Sequence, residues 1–70
     1  MTMEQTLAAW NVRTDDVAGI VRLARSLHRV GIKRRNSSVK FWQERGERAC
    51  NDARDMLTFA HEIVRNRAKG

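Results

Sequence analysis

The fold of this 70-residue chain is decided by residues 39–64, VKFWQERGERACNDARDMLTFAHEIV. Apolar and small side chains recur in this stretch at alternating intervals of three and four residues, which keeps one stripe of a helix facing a packing partner. Gly46 is the only glycine in the stretch, and the chain contains no proline. The pattern therefore predicts one long helix, which we place at about residues 38–67.

The stripe of this helix, called the seam below, alternates large side chains with small ones that allow a second helix to come close. Trp42, Met56 and Ile63 are the large members of its central line, and Leu57 and Val64 lie in a row beside that line. The predicted seam consists of Trp42, Gly46, Ala49, Ala53, Met56, Leu57, Ala60, Ile63 and Val64. Because the distance between packed helices depends on the side chains at their contact, this seam predicts a close helix pair.

A short helix is predicted near the start of the chain, in an arm formed by residues 1–12. Thr2 and Gln5 have the three-residue separation of a capping box, in which each side chain bonds to the backbone of the other residue. Asn11 is a residue type that adopts the left-handed conformation found after many helices. We therefore expect a helix over about residues 3–10.

A second helix and a basic turn are predicted in front of the long helix. Thr14 is a favourable N-cap residue, and Gly31 is a residue type that often follows the end of a helix. These signals place the second helix at about residues 15–30 and the turn at residues 31–37. Residues 13–70 would thus form a helical hairpin in an all-α fold.

The unequal lengths of the two hairpin helices predict a homodimer. At 1.5 Å per residue, the second helix would be about 24 Å long and the third about 45 Å, which leaves the seam from Met56 to Val64 without a partner in the same chain. A domain of this size is marginally stable, and Cys50 is the only cysteine, so no disulfide within the chain adds stability. We expect two copies to form a four-helix-bundle-like assembly.

The charge balance predicts an acidic partner. Fourteen Lys and Arg residues against eight Asp and Glu residues give a formal net charge of +6, and residues 31–48 alone hold six basic and two acidic residues. Nucleic acid, an anionic membrane surface or an acidic protein face would suit this balance. We expect no membrane partner, because both amphipathic helices are accounted for by packing against each other.

Two groups of side chains are the candidates for this contact. Arg22, Arg25 and Arg29 stack along one side of the second helix, and no acidic residue on that helix is placed to pair with all three. Phe41 and Phe59 share one side of the long helix and would serve as aromatic anchors if they are left uncovered. The predicted partner-binding residues are Arg22, Arg25, Arg29, Lys33, Arg34, Arg35, Phe41 and Phe59.

The sequence lacks the residue patterns on which enzymes depend. It has no glycine-rich phosphate loop, no nucleophile at a recognisable spacing from a base, and no acidic cluster suited to a metal. His28, His61 and Cys50 fall on or beside apolar helix faces, where a packing role is the simpler interpretation. We therefore expect a non-enzymatic protein without metal, cofactor or small-molecule substrate. Because no basic region is followed by a long apolar run, a cytoplasmic location is expected.

Two functions agree with these features. The leading hypothesis is a small regulatory protein that binds and modulates a partner protein as an inhibitor, adaptor or anti-activator, and its size would suit a phage or mobile element. The alternative is a nucleic-acid-binding protein or transcriptional regulator that uses the Arg row of the second helix and the basic turn. Residues 21–43 fit a helix-turn-helix poorly, because the predicted turn is too long and so is the helix after it.

Overall fold

The computed structural model describes residues 2–69 and contains three helices in this part of the chain. Helix α1 spans Met3–Ala9, α2 spans Val17–Arg35 and α3 spans Lys40–Lys69. Helices α2 and α3 pack along each other as an antiparallel pair, and α1 lies against them. The molecule is 48 Å long and only 19 and 17 Å across. The predicted all-helical hairpin is therefore confirmed for residues 2–69.

Helix α1 begins and ends with the predicted local structures. The amide of Gln5 donates to the hydroxyl of Thr2 at 3.2 Å, and the amide of Thr2 donates to Oε1 of Gln5 at 2.9 Å. Asn11 has a φ of 58°. The amides of Asn11 and Val12 donate back to carbonyl oxygens of the last helical turn at 3.0 and 2.9 Å. These two bonds form a Schellman cap, which turns the chain back toward the hairpin.

Helix α2 differs from its prediction at both ends. Asp16 is the N-cap in place of Thr14, and its carboxylate accepts a hydrogen bond from the amide of Gly19 at 2.9 Å. Gly31 does not end the helix but is buried inside it, and α2 continues to Arg35. The glycine is used here for its small size, because α3 packs directly against it.

The connection between α2 and α3 is shorter than predicted and contains none of the three consecutive basic residues that were expected in it. It covers residues 36–39, whereas residues 31–37 had been predicted. Lys33, Arg34 and Arg35 lie in the last turn of α2. Cations at that end of a helix are stabilised by the partial negative charge of the unpaired carbonyl groups.

Side-chain hydrogen bonds hold both ends of the hairpin. At the turn, the hydroxyl of Ser37 accepts from the amide of Val39 at 3.2 Å, and Nε2 of Gln43 donates to the carbonyl oxygen of Ser37 at 2.7 Å. At the other end, Nη2 of Arg67 donates to the carbonyl oxygen of Asp15 at 2.8 Å. The last turns of α3 are thereby joined to the segment that precedes α2.

The hydrophobic core lies where the three helices meet, toward the end of the molecule away from the turn. Each helix contributes buried apolar side chains to it. Its fully buried members are Leu7, Ile20, Ala24, Ala53, Met56 and Ala60. Among residues 2–69, none of the helices combines the length and the apolar composition needed to cross a bilayer.

Most of the seam is covered within one chain, which removes the argument for a dimer that was based on helix length. The buried seam residues are Gly46, Ala53, Met56 and Ala60. Helix α2 is longer than predicted, with 19 residues, and reaches the far end of the seam, where Val17 and Val64 line one groove. Helix α1 adds Leu7 to the cover. Homodimerisation itself stays a prediction. The seam residues that are exposed and could contact a second copy are Trp42, Leu57 and Val64.

Candidate docking surface at the hairpin turn

One end of the molecule carries most of its net charge. Residues 29–48, called the basic end below, hold seven Lys and Arg residues and two Glu residues, an excess of five within the total of +6. All seven cations are exposed. Within residues 2–69, the ion pair that forms is Arg13 with Asp15 at 3.2 Å, near the opposite end. The cations of the basic end therefore have no carboxylate partner within 4.0 Å in this part of the chain.

Two of these cations cover aromatic rings next to the turn. The guanidinium carbon of Arg34 lies 5.1 Å from the ring centroid of Trp42, and that of Arg45 lies 4.8 Å from the ring centroid of Phe41. The two rings meet edge to face, with centroids 5.1 Å apart and planes at 77°. Contacts of this kind contribute about 0.5–1 kcal/mol each at exposed sites. They connect α2 to the first turns of α3 through one cation–aromatic cluster.

Large apolar side chains are exposed around this cluster. Phe41 is 53% exposed and Trp42 41%, and the aliphatic side chains Val30 and Val39 are 41% and 50% exposed. These four residues are a majority of the seven large hydrophobic side chains that are exposed among residues 2–69. Val30 and Trp42 also line one shallow depression together with Lys33. The basic end thus combines an apolar surface with a surrounding set of cations.

A groove of about 590 Å³ leads from the basic end toward α1, between α2 and α3. The partly buried side chains of Leu27 and Ala49 lie at its base, with Phe41 near the turn and Trp10 near α1. The charged side chains that line it are Arg34, Arg45, Arg48, Glu44 and Asp52. The groove is therefore apolar at its base and mixed in charge along its rim, with one more cation than anion.

The predicted Arg row is present on the outer face of α2. Arg22, Arg25 and Arg29 are exposed and point away from the buried face of the helix, as the 3.6-residue repeat requires. Lys33 continues the row, so that it extends over about 16 Å. Arg34 does not belong to this row, because it lies over Trp42 on the side of the hairpin. The structure therefore divides the predicted basic site into a row and a cation–aromatic cluster.

Phe41 and Phe59 do not form a common anchor. Phe41 is exposed at the basic end, whereas Phe59 is partly buried and packs against the hydrophobic core. Eighteen residues of helix separate them by about 27 Å along α3. Phe59 is therefore not an exposed aromatic anchor like Phe41, and its contact with a partner stays a prediction.

Several residues of this surface were not identified from sequence as contact residues. They are Trp10, Val30, Val39, Trp42, Arg45 and Arg48. Trp42 had been assigned to the seam, but it lies in the first turn of α3 beside the end of α2 and is 41% exposed. A large apolar residue so close to a helix connection is the signal that could have indicated its exposure.

Comparison of the chain with protein-family models, with curated proteins and with solved structures gave no match. Within residues 2–69, no three His, Cys, Asp or Glu side chains lie close enough together to hold a metal ion. No polar or charged side chain is buried in this part of the chain. The interpretation of the basic end therefore depends on its own exposed side chains.

Proposed function

We propose that this chain is a non-enzymatic regulatory protein that docks its basic end on an acidic face of a partner protein. Binding at that face would modulate the partner, as an inhibitor, an adaptor or an anti-activator. The observation that supports this proposal is the apolar surface of Val30, Val39, Phe41 and Trp42 among cations that have no ion-pair partner within residues 2–69. A reducing compartment such as the cytoplasm suits its single thiol, Cys50.

The basic end is rich in the residue types that contribute most of the binding free energy at protein–protein interfaces. Protein interfaces are enriched in aromatic residues and Arg, and the largest contributions come from Trp, Tyr and Arg side chains that become desolvated. Trp42 and Phe41 are exposed, and the guanidinium groups of Arg34 and Arg45 contact their rings. Contacts that restrict a side chain before binding reduce the conformational entropy that is lost on binding, which favours affinity.

The surrounding charge has a separate role. Seven exposed cations at one end of a 48 Å molecule give it a strong electrical asymmetry. Such a distribution orients the approach to an acidic surface and raises the association rate at low ionic strength. The Arg row extends this positive surface along α2, so it would contribute to approach more than to the final apolar contact.

Nucleic-acid binding is the second candidate, and the cation–aromatic cluster is the observation that favours it. Bases of single strands stack on aromatic side chains while Arg and Lys contact the phosphates. One feature makes a protein the better partner. Val30 and Val39 add exposed aliphatic surface that does not stack on bases.

The test compares two charge-reversed variants in capture experiments from a lysate of the source cells. The first carries Arg29→Glu, Lys33→Glu and Lys40→Glu in the basic end, and the control carries Arg54→Glu, Arg65→Glu and Lys69→Glu toward the other end of α3. All six positions are exposed, and three reversals of two charges each take the net charge from +6 to zero in both variants. Because both variants have the same net charge, a difference in capture between them reports the position of the cations and not their number.

We expect the wild type and the control variant to retain the same discrete acidic protein, and the basic-end variant to lose it. Equal retention by both variants would contradict the proposal. A parallel measurement uses labelled single-stranded and duplex DNA and RNA at physiological ionic strength. Retention of nucleic acid with a steep salt dependence, without a captured protein, would support the second candidate.

A further inference from the structure

We infer that the contact with the partner protein is made in the groove between α2 and α3, and that its occupant is an acidic amphipathic helix of that partner. This inference rests on the proposed function and specifies its binding element. The groove extends from Phe41 at the basic end to Trp10 at the end of α1. It has an apolar base and an excess of cations on its rim, which are the features that an acidic amphipathic helix complements.

Helix α1 shows how a helix packs on this side of the hairpin. It buries the single apolar side chain Leu7 in the core between α2 and α3, and most of its other side chains stay exposed. Trp10, Arg48 and Asp52 line both the groove and the cleft beneath α1. The groove is thus the continuation of the surface on which α1 lies. Helix α1 covers the half near the core, and the half near the turn stays open.

The dimensions of the open half suit a short helix. From Phe41 to Asp52, α3 extends about 16 Å, which equals about three turns of an α-helix. A helix of this length presents two or three apolar side chains on one face. Leu27 and Ala49 would receive them at the base of the groove, and the rings of Phe41 and Trp10 would contact the two ends of the occupant.

The charges on the rim predict the polar residues of the occupant. Arg45 and Arg48 are exposed on α3, and Arg34 lies across the groove on α2. Asp or Glu residues flanking the apolar face of the bound helix would meet these three cations. Glu44 and Asp52 also line the groove and oppose an acidic segment locally. The excess of five positive charges over the whole basic end outweighs them.

Another apolar groove of the hairpin, toward the end away from the turn, lacks this combination. It is lined by Val17, Val21, Leu57, Ala60, His61 and Val64, without a Lys or Arg. In a single chain this groove is apolar and open but has no Lys or Arg in its lining to select an acidic ligand, so it serves as an internal reference when the protein is monomeric. A ligand recognised by apolar contact alone would bind both grooves, whereas an acidic amphipathic helix would select the groove between Phe41 and Trp10.

The first experiment uses a peptide probe and nuclear magnetic resonance of the labelled full chain. The probe is a stapled helix of about 12 residues, with Leu along one face and Glu beside it, because a free helix of this length is marginal in water. Matched probes carry Lys in place of Glu, or the same residues without helical periodicity. The indole N–H groups of Trp10 and Trp42 give two separate reporter signals in the full chain.

We expect the acidic helical probe to shift the signals of Leu27, Ala49 and the Trp10 indole, and to leave those of Leu57 and Val64 unchanged. Both matched probes should bind at least about tenfold more weakly. Shifts at Leu57 and Val64, equal binding of the Lys probe, or no shift at all would overturn the inference. Shifts that depend only on protein concentration would assign the groove to a second copy of the chain and would overturn it as well.

The second experiment separates the groove from the basic end as a whole. Arg48→Glu reverses a cation of the groove, and Lys40→Glu reverses an exposed cation of the same helix that does not line it. The two variants have the same net charge. We expect Arg48→Glu to weaken capture of the partner by about tenfold or more and Lys40→Glu to weaken it only slightly. Equal effects would overturn the groove assignment and leave the proposed function standing, whereas capture that no basic-end variant reduces would refute the function itself.

Discussion

Gly31 of α2 and Gly46 of α3 lie against each other, backbone to backbone, where the two hairpin helices pack. A methyl carbon placed on Gly46 would lie 2.5 Å from the carbonyl oxygen of Gly31 and would also clash with the amide nitrogen of Arg35. A methyl carbon on Gly31 would lie 2.8 Å from the carbonyl oxygen of Gly46. Both glycines are buried. The close approach of α2 and α3 next to the turn therefore depends on two missing side chains.

The first prediction concerns this contact. We expect Gly46→Ala to destabilise the protein by about 3 kcal/mol or more, because backbone atoms cannot rotate away from the added carbon as a side chain can. This cost is a large part of the total stability of a domain of this size. The measurement is urea unfolding followed by circular dichroism.

Gly19→Ala is the matched control for Gly46→Ala. Its added carbon would meet only the flexible side chain of Asp16, the N-cap of α2. The loss of part of the cap would be offset by the better helix propensity of Ala, so we expect a change within about 1 kcal/mol. An equal effect of both substitutions would show that the approach of α2 and α3 is not limited by Gly46.

The second prediction concerns the centre of the core. Ala53 is 1% exposed and lies under α2, so Ala53→Glu would place a carboxylate where no cation is available. We expect a loss of about 3–5 kcal/mol, seen as loss of the cooperative unfolding transition. Arg54→Glu introduces the same residue at the next, exposed position and should keep the melting temperature within a few degrees. A folded Ala53→Glu variant would contradict the packing of α2 on α3.

The third prediction concerns the arm. Leu7 is fully buried although it belongs to a helix of only seven residues. Leu7→Ala should cost about 2–5 kcal/mol, the usual range for a buried leucine. Ala8→Ser, at an exposed neighbouring position, should cost less than about 1 kcal/mol. Hydrogen exchange of the α1 amides would show whether the arm detaches, and unchanged protection in the Leu7→Ala variant would argue against its docking.

The fourth prediction concerns the homodimer, which the structure leaves to experiment. The apolar side chains that remain available for it on the seam include Leu57 and Val64, which lie with Val17 and Val21 in one groove. We expect light scattering at micromolar concentration to give twice the 8.1 kDa of one chain. Val64→Glu should return the mass to that of one chain. A wild-type mass of 8.1 kDa would refute the dimer.

Local signals in the sequence predicted local structure well. The capping box of Thr2 and Gln5 and the left-handed Asn11 were predicted correctly, because each depends on residues within one or two turns. Gly31 was misinterpreted for the same reason. A glycine after a helical stretch is a common C-terminal signal, and only the presence of Gly46 across the hairpin explains why the helix continues through it.

The sequence correctly indicated which basic residues of the candidate site are exposed, but it identified only some of the exposed apolar residues. Arg22, Arg25 and Arg29 are exposed as a helical row, as the spacing indicated. The sequence could not distinguish Phe41 from Phe59, because both lie on the same side of α3. Their exposure differs because Phe59 packs against the core cluster that contains Leu7 of α1, whereas Phe41 lines the open groove.

The sequence by itself determined that the chain is helical, where α1 begins and ends, and that its positive charge is concentrated in the middle of the chain. These properties follow from residue type and short-range spacing. Only the tertiary structure decided that most of the seam in residues 39–64 is covered by helices of the same chain. It also decided that a cation–aromatic cluster and an open groove are exposed at the basic end. The reason is geometric. The way α2 packs along α3 depends on the continuation of α2 beyond Gly31 to Arg35 and on the contact between Gly31 and Gly46. These contacts join segments that are distant in sequence, so residue spacing within one segment does not predict them.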